Sequence, residues 1–211
     1  MHPTVSASQA ICSKALVMSE KPDVVFLDFE ASSLGKESYP IEVAWVFASG
    51  GEESHLIKPA PFWTDWDLKS EATHHLSRER LLSEGMPHDE VARRMLDVLS
   101  GHAIYATAPS WDGQWLSKLR RGAGLPRHAL RLQDTDVAHV SAVMRILQQV
   151  GTAEGEAVRL AKEILVQVRL KDEAKGDPDH RALADAKREL DIWRDVQRHA
   201  QDYARNLKPS A

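Results

Sequence analysis

The chain has 211 residues, with 27 Lys and Arg against 31 Asp and Glu, a formal charge of −4 and a single cysteine, Cys12. That length suits one α/β domain with a substantial core and would cramp two; a lone cysteine excludes an intrachain disulfide or a cysteine-rich zinc site and fits a reducing, cytoplasmic compartment. The acidic balance argues against gripping long duplexes by bulk electrostatics, and no apolar run is long enough to span a bilayer.

Residues 1–21 lack the basic and long apolar regions of a secretory signal and read as a flexible N-terminal tail, with the domain expected over residues 22–207. Asp23 to Glu30 predicts a strand from the continuous run Val24-Val25-Phe26-Leu27. Ile41 to Phe47 predicts a second strand and Glu53 to Ile57 a third, joined by turn-rich segments at Ser32 to Pro40 and Ser49-Gly50-Gly51. Helices follow at Arg78 to Leu82 and His88 to Leu99, the latter with Val91, Met95 and Leu99 on one face. Ile104 to Ala106 is a short buried strand, Asp112 to Arg121 a helix ended by Gly122 and Gly124, and Leu130 to Leu132 a last strand. The rest is helical, over about 136–150, 154–168 and 180–205. Trp45 and Trp115 are expected in the core.

Asp28 and Glu30 end the first strand. Alternate strand residues share a face, so the two carboxylates project together about 7 Å apart. Burying like charges is costly unless something positive sits between them. The pair therefore reads either as one side of a divalent-metal site or as a strand running out into a solvated acidic loop. Asp112 is a helix-start acid, with an ordinary N-cap as the alternative. His180 and Asp185 would lie about 140° apart on a continuous helix. Asp177-Pro178-Asp179 supplies a capping acid and a first-turn proline, which puts His180 at or before the helix start and free to swing toward a shared cleft; an exposed helix-start histidine is the alternative. The basic cluster Lys118-Leu119-Arg120-Arg121 is either a solvated helix end or a local anion contact.

Taken together, Asp28-Phe29-Glu30, Asp112 at the head of a middle helix, and His180-Arg181-Ala182-Leu183-Ala184-Asp185 resemble the three exonuclease motifs of the DEDDh family, over roughly Asp23 to Leu190. The resemblance implies a ribonuclease-H-like mixed sheet, three antiparallel strands plus two short parallel ones, flanked by helices. It implies a 3′–5′ exonuclease acting by two divalent cations, Mg²⁺ or Mn²⁺, on Asp28, Glu30, Asp112 and Asp185, with His180 as general base. Hard cations prefer carboxylate oxygen, and histidine is suited to proton transfer near neutral pH. Leu34 would wedge against the terminal base, His74 would contact the 3′ end and Trp111 could stack on a base. Two departures stand out: Ala31-Ser32-Ser33-Leu34 follows Glu30, and His75 replaces a glycine usual in the family. Single-stranded 3′ ends are the expected substrate, RNA slightly ahead of DNA. A DNA proofreading or repair exonuclease and a catalytically silent binding module are the alternatives. Several relatives act as homodimers, and Val158, Ala161, Ile164 and Leu165 offer a stripe for one, or for core packing.

Overall fold

The computed structural model describes residues 22–126, 128–176 and 179–207. The tail expected over residues 1–21, Cys12, and the Asp177-Pro178 part of the capping reading lie outside them. A six-stranded sheet forms the centre, in the order β4-β3-β2-β1-β5-β6. Strands β1 (Val24–Ala31), β2 (Pro40–Phe47) and β3 (Glu52–Lys58) form an antiparallel meander, while β5 (Ala103–Ala106) runs parallel to β1 and β6 (Leu132–Asp134) parallel to β5. The expected fold class is present.

The differences from the sequence reading are local. A two-residue strand β4 (Met86–Pro87) pairs in parallel with Ile57 and Lys58. Gly85 lets it approach: a Cβ there would stand 2.6 Å from the Lys58 nitrogen. Helix α1 (Leu68–His74) went unread because its seven residues carry no apolar stripe; Asp67 caps it, accepting from the Lys69 and Ser70 N–H groups. His75, the replacement for glycine, ends α1 in the left-handed conformation at φ 58° that glycine would favour. The last strand lies two residues beyond Leu130 to Leu132, with Leu130 itself buried in the core.

Helices α2 (Arg78–Glu84), α3 (His88–Leu99) and α4 (Pro109–Gly122) follow in order, then α5 (Thr135–Gln149), α6 (Glu154–Glu173) and α7 (Ala182–Leu207). The pleat of β1 divides the core. Val25, Leu27 and Phe29 pack on one face with Met95 and Leu99 of α3 and Trp115 and Leu119 of α4. Phe26 points the other way, onto Ala138 of α5 and Ala186 and Leu190 of α7. Behind that layer α5, α6 and α7 form their own apolar cluster, which takes in Ala161, Ile164 and Leu165. The stripe named for a dimer is thus largely covered within the chain. Trp45 and Trp115 are buried as expected. Among the described residues no helix is long and apolar enough to cross a membrane.

Candidate active site

Asp28 and Glu30 share the Phe26 face of β1, the face that α7 covers, because the strand alternates. A register shift between Glu30 and Ala31 marks where β1 stops pairing regularly with β2, the kind of irregularity that re-aims a side chain at a sheet end. Asp185 comes from the first turn of α7. Asp28, Glu30 and Asp185 each place a carboxylate oxygen within 4.8 Å of the others.

Asp112 arrives from α4, though not at its first residue. The helix begins at Pro109, a residue suited to N1, and its N-cap is Ala108. Asp112 is therefore one turn in, 2% exposed, with Oδ2 accepting from the Ala108 N–H at 3.2 Å. Of all neighbouring charges, Asp112 acts most strongly on Asp28, and repulsion between two carboxylates acts on both.

The electrostatics are one-sided. Burial, then the charges of Asp112, Glu30 and Asp185, holds the Asp28 carboxyl well above the usual range. Burial and Asp185 push Glu30 to about 8, against a smaller opposing effect of Arg181. Burial raises Asp112 to about 7. Asp185 is also raised by burial, with His180 and Arg188 pulling against it. Among the described residues none of the four forms an ion pair. A packed cluster of acids without a cation fits divalent metal, since hard cations seek carboxylate oxygens and would supply the missing charge.

His180 lies two residues before α7, exposed, with a left-handed φ of 50°. It does precede the helix, and its charge reaches Asp185. Leu34 is 70% exposed on the loop after β1, and Trp111 is exposed beside Trp115, ring centroids 5.8 Å apart. His74 differs: it is 2% exposed, its Nδ1 accepts from the Leu76 N–H, and its ring lies edge-on to Trp66. In this conformation it presents almost no surface to a ligand.

Two residues of the site went unread. Glu42 of β2 lies directly across from Glu30 and is 2% exposed. Its carboxylate accepts from Arg181 Nε at 3.0 Å and Nη2 at 2.7 Å, and from the Ala182 N–H at 3.2 Å. The pair ties the start of α7 to the sheet, between His180 and Asp185. A single acid inside the apolar run Ile41-Glu42-Val43-Ala44-Trp45 was the available signal, because such a residue is tolerated inside only with a partner.

This arrangement of sheet and helices recurs in solved structures. Solved structures with this fold include Exonuclease I. The zinc-bound E. coli Exonuclease I–ssDNA complex matches with a TM-score of 0.62 at 14% identity, over 89% of this chain and 42% of that one. Exonuclease I without ligand matches at 0.60 and 14% identity, over 87% and 44%. The enzyme from Methylocaldum szegediense matches at 0.56 and 14%, over 88% and 42%. The chain spans less than half the length of these proteins. At such identity the likeness establishes the ribonuclease-H-like fold. No protein-family model matches the sequence, and no curated protein matches it.

Proposed function

We propose that the protein is a metal-dependent 3′–5′ exonuclease on single-stranded nucleic acid. The observation that carries this reading is the convergence of Asp28, Glu30 and Asp185 within 4.8 Å, with Asp112 acting on Asp28 and, among the described residues, no ion pair to any of the four. Asp28, Glu30, Asp112 and Asp185 would hold two divalent cations, Mg²⁺ or Mn²⁺. When bound, these supply positive charge for the scissile phosphate and for the charge that develops during its hydrolysis.

The chain's own groups do the rest. His180, exposed just before α7, takes a proton from the attacking water at a ring nitrogen. The Glu42–Arg181 pair holds the backbone from which His180 projects. Leu34 offers an exposed apolar side chain for the terminal base, and Trp111 a ring on which a base can stack. The solved neighbours include complexes with single-stranded DNA. The RNA leaning of the sequence has no counterpart there, so the proposal takes single-stranded DNA as substrate first.

The test is digestion of matched 5′-labelled DNA and RNA oligonucleotides with Mg²⁺ or Mn²⁺. A descending ladder that keeps the label is the expected result, and the ratio of rates names the sugar. No ladder with either metal, or products that lose the label first, would overturn the reading. A catalytically silent module would bind the strands without shortening them.

A further inference from the structure

The basic cluster on α4 lines a groove of about 620 Å³ between that helix and the loop that follows Leu34. Ser110, Gln114, Ser117 and Arg121 fall on one stripe of α4 and face it, beside Lys118; Lys36 faces it from the loop. Trp115 Nε1 donates to Ser38 Oγ at 2.9 Å and Lys118 Nζ to the Glu37 carbonyl at 2.5 Å, so the two walls are joined. Arg120 does not belong to this face: it is buried, and its guanidinium donates to the Pro126 carbonyl. Among the described residues Lys36, Lys118 and Arg121 form no ion pair, and Glu37 is the one acid lining the groove. In a protein of charge −4 this is a concentrated positive strip.

Its position gives it a use. One end of the groove is lined by Pro109 and Ser110, at the start of the helix that carries Asp112. It then runs about 16 Å along α4 from Ser110 to Arg121. We propose that this groove binds the phosphate backbone of the single strand upstream of the 3′ end, with Lys36, Lys118 and Arg121 each meeting a phosphate. The proposal rests on the exonuclease reading. It resolves a difficulty of that reading, since the bound cations attract only the last phosphates and an acidic protein would repel the rest of the strand.

The experiment compares the parent with a Lys36→Ala, Lys118→Ala, Arg121→Ala variant, both carrying Asp28→Asn so that the strand survives. Binding of oligodeoxythymidylates of about three and about fifteen nucleotides is measured across a salt series with Mg²⁺. For the long strand the triple variant should have a slope of log affinity against log salt shallower by about 2, at ~0.7 per phosphate. Between 50 and 200 mM salt the parent should then lose roughly 15–20-fold more affinity than the variant.

A control triple, Arg93→Ala, Lys162→Ala, Arg205→Ala, changes net charge equally and should keep the parent slope. With Asp28 restored, the groove variant should raise KM far more for the long strand than for the short one. Lys36→Ala alone, in an exposed loop, guards against misfolding and should remove about one third of the slope change. An unchanged slope, or an equal change in the control, would overturn the groove while the exonuclease reading stands. A parent that neither binds nor cleaves either strand would overturn both.

Discussion

Helix α7 carries two kinds of carboxylate within two turns, and their surroundings diverge. Glu189 is ion-paired to Arg169, which also holds Asp136 at 2.7 Å. Asp172, at the end of α6, is held by Arg188 of α7 and by Lys175. Burial pushes Asp172 up, yet those hydrogen bonds outweigh it and leave its carboxyl below the usual range. Asp185, one turn before Arg188 and Glu189, has no such partner and lies with Asp28 and Glu30 in a cluster shifted the other way. Burial raises both carboxyls, and only hydrogen bonds from Arg188 and Lys175 reverse the sign for Asp172. The paired set carries its own counter-charge; among the described residues the unpaired set has no ion pair.

Removing a member of the unpaired set is expected to have the largest effect. Asp28→Asn or Asp185→Asn should lower hydrolysis by about 10⁴-fold, the several kcal/mol of transition-state charge stabilisation that metal ions provide. The fold should survive, and in metal-free buffer the variant should melt no lower than the parent, since repulsion is relieved. Near-normal turnover by Asp28→Asn would end the two-metal assignment. His180→Ala should cost about 10²–10⁴-fold while keeping the rise in melting temperature on adding Mn²⁺. Exogenous imidazole should recover part of the rate. A rate like the parent's would move the base elsewhere.

The unpaired set also fixes the direction of pH dependence. Glu30 at about 8 and Asp112 at about 7 lie above their unfolded values, so the folded state binds more protons than the unfolded one between about pH 4 and 8. Metal-free stability is therefore full below the unfolded values and is lost as pH rises through the folded ones. Melting temperature should fall from pH 5 to pH 8.5 without metal. Saturating Mg²⁺ should reduce that fall, because ions bind the deprotonated ligands. A metal-free melting temperature that rises with pH would contradict the shifts.

The contrast also explains what could be read in advance. Asp28, Glu30, Asp112, His180 and Asp185 could be singled out in the sequence because together they resemble three motifs of one family, and the fold brings the carboxylates of Asp28, Glu30 and Asp185 together. Helix α3 was legible through Val91, Met95 and Leu99. The Glu42–Arg181 pair was not, since it joins residues 139 positions apart and pairing is a property of the fold. Helix α1 and strand β4 were missed for a related reason: a cap and a close backbone approach, not a hydrophobic period, hold them. His74 was read as a contact from its motif alone, and burial is invisible at that level.

Within the paired set, the comparison predicts a gradient set by burial. Arg181→Ala leaves Glu42 enclosed without its partner and should cost about 3 kcal/mol, the lower end for breaking a buried pair because the guanidinium is partly exposed. Chemical denaturation would measure it, and kcat should fall with it because the start of α7 loosens. Lys187 and Glu52 also join α7 to the sheet, at 2.6 Å, but both side chains are nearly half exposed. Water screens such a pair and ordering two long side chains opposes it, so Lys187→Ala should change stability by less than about 1 kcal/mol and leave kcat alone. The two substitutions remove one cation each, six residues apart, one just before α7 and one within it. If they cost the same, burial is not what separates the two pairs.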